Sequence, residues 1–315
     1  MHETYNEEII MYDIVIIGAG PAGMTAALYG LRAGKSAVLL ECNSFGGQIV
    51  YSPRVENFPS LMQISGNELA SNMVEQVSAL GADIEFARAT AIEDCGSYKK
   101  VLCEDGEVFE GKTVIIATGV KHRELGVEGE EALVGSGISY CAVCDGAFFK
   151  GRDVAVVGGG DTALQDAIYL SAYCSKVYLI HRRDAFRGEA KLVEKIKALE
   201  NVELVLDSTV SALNTENGML NSVTTVNKNT NDERVIPVAG LFVAIGQIPE
   251  NKPFEALAEL DEYGYFAAGE SSLTKTPGVF VAGDCRAKEV RQLTTAVGDG
   301  AVAGLAACKY IDEQD

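Results

Sequence analysis

Two stretches of this chain carry the same succession of apolar and polar positions. In the first, Tyr12-Asp-Ile-Val-Ile-Ile17 is a short, nearly continuous apolar run, the pattern of a parallel strand buried on both faces. A glycine-rich turn follows at once, Gly18-Ala-Gly20-Pro-Ala-Gly23, then a helical stretch from Met24 to Leu31 that Gly34 is placed to end. Ser36-Ala-Val-Leu-Leu40 predicts the next strand, and Glu41 closes it. The second stretch repeats the order. Asp153 to Val157 reads as a strand, Gly158-Gly-Gly160-Asp-Thr-Ala163 as the turn, Thr162 to Ala172 as a helix, and Lys176 to Ile180 as the following strand. The spacing agrees: 23 residues separate Gly18 from Glu41, and 23 separate Gly158 from His181. Each stretch also ends in a similar apolar run and glycine, Ile115-Ile-Ala-Thr-Gly119 and Phe242-Val-Ala-Ile-Gly246.

Strand, glycine turn, helix and strand together form the context in which a GxGxxG pattern reads as a dinucleotide site. The expected fold is therefore α/β, with two Rossmann-like dinucleotide-binding domains. After Gly246 comes a proline-bearing linker, Gln247 to Pro253. Beyond it, Gly278-Val-Phe-Val-Ala-Gly-Asp284 predicts one more buried strand, with a helix from Gln292 onward. That tail is too short to be a domain and is expected to complete the first one. The second domain is thus inserted in the first, which comprises residues 1–122 and 252–315 around an insert of 123–251. Between Gly66 and Thr113 the pattern gives a helix, Glu68 to Leu80, and short strand-like runs without a readable motif.

Composition agrees and narrows the function classes. A chain of 315 residues with 47% hydrophobic residues and 33 glycines suits a two-domain α/β protein rich in tight turns. No apolar run approaches the roughly 20 residues a membrane span needs. The start, Met1 to Glu8, is acidic and polar, unlike a signal peptide, so a cytoplasmic protein is expected. The formal charge of −19, from 26 basic and 45 acidic residues, argues against nucleic acid and anionic membranes as partners.

The residues that end the second strand of each unit separate the two nucleotides. Glu41 can accept hydrogen bonds from a ribose 2′-hydroxyl and would repel a 2′-phosphate. The second site has His181-Arg182-Arg183 there instead, with Arg187 nearby. Guanidinium–phosphate bonds are worth about 1.5–3 kcal/mol each when partly desolvated, so this site is expected to hold NADP(H). Two nicotinamides have no useful hydride to exchange, whereas a flavin accepts a hydride and releases electrons to sulfur. FAD is expected at the first site and NADPH at the second.

Sulfur stands close by. Of eight cysteines, only Cys141 and Cys144 are spaced for paired chemistry, 17 residues ahead of Gly158. A Cys-x-x-Cys can close a disulfide, and its attacking thiol often has a lowered pKa. Reducing that disulfide with one hydride takes up one further proton, and Asp145 is adjacent to supply it. Half of a zinc site and two inert buried thiols are the competing readings; zinc needs four ligands, and no second Cys-x-x-Cys exists.

At this point the motifs resemble one family along essentially the whole chain, the low-molecular-weight, bacterial-type thioredoxin reductases. The matching segments run from GAGPAG (18–23), Glu41, GGQ (46–48), VENFP (55–59) and ATG (117–119) through CAVCDG (141–146), GGGDTA (158–163) and HRRDAFR (181–187) to AGDCR (282–286) and RQLTTAVGDGA (291–301). The resemblance implies a homodimeric FAD enzyme that reduces the disulfide of thioredoxin with NADPH. It implies that Cys144 faces the flavin, that Cys141 attacks thioredoxin and that Asp145 is the acid–base residue. FAD contacts carry over to Gly18, Gly20, Pro21, Ala22, Gly23, Glu41, Gly46, Gly47, Gln48, Asn57, Ala117, Thr118, Gly119, Asp284, Arg291 and Gln292. NADPH contacts carry over to Gly158, Gly160, Asp161, Thr162, Ala163, His181, Arg182, Arg183 and Arg187. The family also implies that the NADPH domain rotates about its two linkers. In the family, aromatics just after CDG help to dock thioredoxin; here Ala147 precedes Phe148 and Phe149, which either dock a partner or pack internally. Two alternatives stay open: a related flavin-dependent reductase with another acceptor (a glutaredoxin-like protein, a peroxidase partner or a small disulfide), and a non-enzymatic NADP-binding redox sensor.

Overall fold

The structure is a computed structural model that describes residues 10–314; the acidic start, Met1 to Glu8, lies outside the described residues. The chain divides into two compact units, one formed by the chain up to Lys121 and from Ile248 onward, the other by His122–Gln247.

The first unit is built on a parallel sheet in the order Asp83–Phe86, Ala37–Glu41, Met11–Ile17, Val108–Ile116. The far edge of Val108–Ile116 is shared. Its first half pairs antiparallel with Lys99–Cys103, which continues to Ala89–Asp94, and its second half pairs parallel with Val279–Val281. Side chains alternate between two apolar layers, because both faces of a parallel sheet are covered. Ile14, Ile16, Leu39 and Ile115 point to the layer under the helices Pro21–Arg32 and Leu293–Asp312. Val15, Ile17, Val38, Leu40, Val114 and Ile116 point to the other, which Phe254 and Phe266 help to fill.

In the second unit the parallel order is Val202–Val205, Lys176–Ile180, Asp153–Gly158, Gly240–Ala244, Ile138–Ser139, with the helix Asp161–Ser171 after the glycine turn. A separate antiparallel sheet joins Ser208–Glu216, Met219–Asn227 and Glu233–Pro237.

Several elements differ from their sequence expectation. Both fingerprint helices begin earlier, at Pro21 and Asp161, because the extended Gly20 and Gly160 are the N-caps and the next residue already starts the helix. The helix expected from Glu68 begins at Gly66: Ser65 caps it, its Oγ accepting from the Glu68 N–H at 3.1 Å. The units divide at 247/248, earlier than the boundary read from the linker near 251. The reason is Asn251, which is fully buried in the first unit. Its Nδ2 donates to the carbonyls of Gly264 (2.9 Å) and Cys285 (2.7 Å), and its Oδ1 accepts from the Thr118 hydroxyl at 3.1 Å.

Removing that amide strips this bond from the part-buried Gly264 carbonyl and the Thr118 hydroxyl, and leaves the buried Cys285 carbonyl with the Phe266 N–H alone. Asn251→Ala is expected to cost about 2–4 kcal/mol of stability, read as a lowered midpoint in urea unfolding. An unchanged midpoint would show that Asn251 ties nothing together.

Candidate redox and dinucleotide sites

In the first unit the glycine turn is closed by contacts that only glycine permits. A Cβ on Gly18 would lie 2.3 Å from the Ala117 carbonyl oxygen, and one on Gly23 would lie 1.9 Å from that of Gly18. Pro21 opens the helix, whose first N–H groups and dipole face the turn. Glu41 is buried at the strand end. Its Oε2 accepts from the Ala19 N–H at 2.9 Å, and its Oε1 from the N–H groups of Cys42 (2.9 Å) and Asn43 (2.8 Å). The Gly46 N–H donates to Ala19 O at 2.8 Å, which lays the Gly46–Gly47 loop beside the turn, and Gln48 follows in the 3-10 turn Gly47–Tyr51. Thr118, between Ala117 and Gly119, is held by Asn251.

The remaining expected contacts of this unit gather at the start of the long C-terminal helix. Asn57 Nδ2 donates to Gln292 Oε1 at 3.3 Å, and Gln292 is the N-cap of Leu293–Asp312. Arg291 lies over the Tyr265 ring at 4.1 Å and donates from Nε to the Asp284 carbonyl at 3.2 Å. Gly283 approaches Ala22, where a Cβ would be 2.8 Å from the alanine Cβ. Asp284 Oδ1 is buried without a hydrogen-bond partner, and burial pushes the carboxyl up despite the nearby Lys288 and Arg291. A glycine-lined turn at a helix N-terminus, an acid at the strand end and an unsatisfied carboxylate beside them fit a dinucleotide with a free ribose and further hydroxyls, as in FAD.

The second unit repeats the close approach: a Cβ on Gly158 would lie 2.4 Å from the Ala244 carbonyl oxygen and 2.5 Å from the Cβ of Ala163. Gly160 is open, and Asp161 and Thr162 are exposed in the first turn of the helix. His181 is placed differently from the arginines after it. Its ring is buried under Gly159, stacks on Phe186 at 5.3 Å and sets Nε2 3.2 Å from the Ala185 carbonyl. Burial lowers its pKa, and the charges of Arg183, Arg187 and Arg182 lower it further against the Ala185 bond. It supports the turn as a neutral ring. Arg182, Arg183 and Arg187 are exposed, and among the described residues none of them is in an ion pair. Two bonds hold their loop to the turn, Arg187 N–H to Gly159 O at 2.8 Å and Glu189 N–H to Asp161 Oδ1 at 2.7 Å.

Cys141 and Cys144 form a disulfide in this same unit. Cys141 is the N-cap of the single turn Ala142–Asp145, and its Sγ accepts from the Cys144 N–H at 3.2 Å. Asp145 is the second carboxyl with an orphaned oxygen: Oδ1 is buried without a partner, while Oδ2 accepts from the Ser139 hydroxyl at 2.6 Å. Burial raises its pKa, outweighing the Ser139 bond. Ser139 also accepts from the Cys141 N–H at 3.1 Å, so one hydroxyl ties the acid to the dithiol turn. Sequence reading missed Ser139, for which its place two residues before Cys141 was the available signal. Phe149 packs inside the unit, edge-on to Phe242 at 5.4 Å and over Gly240, whereas Val143, between the two cysteines, and Ala147 are exposed.

This arrangement of fold and sites is matched in known proteins. The sequence profile of the pyridine nucleotide-disulphide oxidoreductase family matches residues 12–300. The thioredoxin reductase of Bacillus subtilis is 42% identical over 303 residues, covering 96% of each chain. The crystal structure of thioredoxin reductase from Streptococcus pyogenes superposes with a TM-score of 0.93 at 42% identity, covering 97% of this chain and 100% of that one. The thioredoxin reductase structure from Giardia duodenalis gives 0.89 at 33% identity, over 96% and 99%. The chain therefore belongs to the pyridine nucleotide-disulphide oxidoreductases, in the branch of the low-molecular-weight thioredoxin reductases.

The raised pKa of Asp145 has a thermodynamic sign. A carboxyl that holds its proton more tightly folded than unfolded makes stability fall as pH climbs from the ordinary value of 3.8 through the elevated one, and leaves it flat above. Asp145→Asn keeps an acceptor for Ser139 and has no charge to bury. It is expected to equal or exceed the wild type in thermal midpoint at pH 7–8 and to lose that advantage toward pH 4. A variant less stable than wild type at neutral pH would contradict the assignment.

Proposed function

We propose that this chain is an NADPH-dependent thioredoxin reductase: electrons from NADPH pass by way of FAD to the Cys141–Cys144 disulfide and from there to the disulfide of thioredoxin. The observation that carries the reading is the disulfide with a buried, partly unsatisfied carboxyl adjoining it, in the unit that also bears the arginine-marked fingerprint. The family membership supports it over residues 12–300, and the Bacillus subtilis relative over 96% of the chain.

FAD, when bound, takes a hydride from NADPH and hands an electron pair to a disulfide. Gly18, Gly20, Pro21, Ala22 and Gly23 would hold its pyrophosphate, Glu41 its ribose, and Asp284 with the Gly46–Gln48, Asn57, Ala117–Gly119 and Arg291–Gln292 segments the rest. Arg182, Arg183 and Arg187 would take the 2′-phosphate of NADPH beside Gly158, Gly160, Asp161, Thr162 and Ala163. Opening Cys141–Cys144 to two thiols consumes two electrons and two protons, and a hydride supplies both electrons and one proton. Asp145, whose burial favours its protonated form, is assigned to donate the second. Cys141 as thiolate then attacks the partner: a bond forms from its Sγ to one partner sulfur, and the other partner sulfur leaves and takes a proton. Cys144, deprotonated by Asp145, attacks the Cys141 sulfur, which re-forms the intrachain disulfide and releases the partner as a dithiol.

Dithiol and NADPH fingerprint belong to one unit and both must reach the same flavin, so we assign alternation between them to a rotation about the connections at 121–122 and 247–248. The homodimer is assigned on the family resemblance. A cytoplasmic setting is supported by six free cysteines among the described residues, and none of the described helices is long and apolar enough to cross a membrane.

With a thioredoxin acceptor, Cys141→Ser and Cys144→Ser are each expected to lose at least about 1000-fold in turnover while NADPH still bleaches the flavin. Turnover persisting in both variants would remove the dithiol from the route; turnover by the wild type only with another acceptor in a panel of disulfides would reassign the substrate. Arg182→Ala with Arg183→Ala is expected to raise KM for NADPH about 10- to 100-fold with KM for NADH unchanged. Equal effects on both nucleotides would contradict the 2′-phosphate assignment.

A further inference from the structure

Asp284 stands in a charged cluster that the redox reading leaves unexplained. Asp299, buried on the C-terminal helix, accepts four hydrogen bonds. Its Oδ2 takes the Gly283 N–H at 3.0 Å, Arg286 Nε at 2.7 Å and Lys288 Nζ at 2.9 Å, and its Oδ1 takes Arg286 Nη2 at 2.8 Å. Arg286 is itself buried, reaching the Ala268 carbonyl at 3.4 Å and Glu270 at 3.1 Å. The backbone of the Gly283–Cys285 turn is therefore gripped from both sides, by Asp299 at the Gly283 N–H and by Arg291 at the carbonyls of Asp284 (3.2 Å) and Arg286 (3.3 Å). Gly283 has φ +82°, a left-handed conformation that leaves little freedom for the turn to be remade with another side chain.

Lys288 is the element of the cluster that reaches the unsatisfied oxygen. Its side chain is 8% exposed, and its ammonium bridges the two carboxylates, 2.9 Å from Asp299 Oδ2 and 3.9 Å from Asp284 Oδ1. Asp299 needs no help from it to remain paired, since Arg286 binds it through two nitrogens. An ammonium with little water around it and a carboxylate just beyond hydrogen-bond distance is a counter-ion held in reserve for that carboxylate.

We propose that Lys288 is a positioning residue for cofactor capture: anchored by Asp299, its ammonium stands against Asp284 Oδ1 and keeps that carboxylate placed to accept hydroxyl groups of FAD. This rests on the assignment of FAD to the first unit. The charged groups that face Asp284 are Lys288 and Arg291, which favour its ionised form, and Asp299, which opposes it, as burial does most; the Tyr265 phenol and the Cys285 thiol also border it. Taking away the ammonium leaves Arg291 alone against burial and Asp299, so Asp284 takes up a proton at a higher pH and loses its acceptor strength.

The test is titration of apoprotein with FAD, followed by quenching of flavin fluorescence, between pH 5.5 and 8.5. Lys288→Met fills the same space without the charge. Its Kd for FAD is expected to rise about tenfold or more at neutral pH and to weaken further toward low pH, starting at a higher pH than in the wild type. Lys288→Arg is expected to restore binding to within about threefold, and the apoprotein melting temperature of Lys288→Met to stay within about 2 °C of wild type. Equal FAD affinity and an equal pH profile in Lys288→Met and wild type would overturn the proposal, as would a loss of affinity that Lys288→Arg fails to restore. Failure of the wild-type apoprotein to bind FAD at all would instead overturn the cofactor assignment on which the proposal stands.

Discussion

The carbonyl of Ala117 lies where a β-carbon on Gly18 would be, and the carbonyl of Ala244 lies where one on Gly158 would be. Each is the same constraint: a parallel strand ends against the glycine turn of its neighbour, with no room for a side chain between them. The rest of each nucleotide site depends on it. The turn can pass that closely only as glycine, the helix then starts at Pro21 or Asp161 with its N–H groups at the turn, and the next strand delivers its last residue beside it. One packing requirement, met twice, gives the chain two nucleotide sites.

What each site discriminates comes from charge placed on that common frame. Glu41 is buried and bonded to three backbone N–H groups, so it is fixed as an acceptor. At the equivalent place His181 is neutral and packed beneath the turn, and three guanidiniums stand exposed after it. The two orphaned carboxylate oxygens extend the pattern. Asp284 has Lys288 and Arg291 close by to favour ionisation, whereas Asp145 has a serine hydroxyl and no cation among the groups that shift it. Burial raises both, but their surroundings suit the first to accept hydrogen bonds and the second to carry a proton.

The doubled strand–turn–helix unit was legible in the sequence because its strands are buried on both faces and so read as continuous apolar runs. The antiparallel sheet from Ser208 to Pro237 was not. Glu233-Arg-Val-Ile-Pro237 buries only Ile236, and so short a polar strand has no periodicity to find. The fingerprint residues and the dithiol were readable from spacing, since backbone geometry fixes their separation. Residues that act across long sequence distances were hidden: Asn251 joins Thr118 and Cys285, and Asp299 reaches Gly283 and Lys288. His181 illustrates the limit most clearly. Its position in the motif was legible, but only the contact with Gly159 shows that it supports the turn.

The central claim is that hydride from NADPH ends on the Cys141–Cys144 sulfurs by way of FAD. Anaerobic addition of one NADPH per chain, followed by alkylation and peptide mass mapping, tests it directly. The account predicts two newly alkylated thiols, at Cys141 and Cys144, in FAD-loaded protein and none in apoprotein. Absence of new thiols in the loaded protein, or their appearance without FAD, would contradict it.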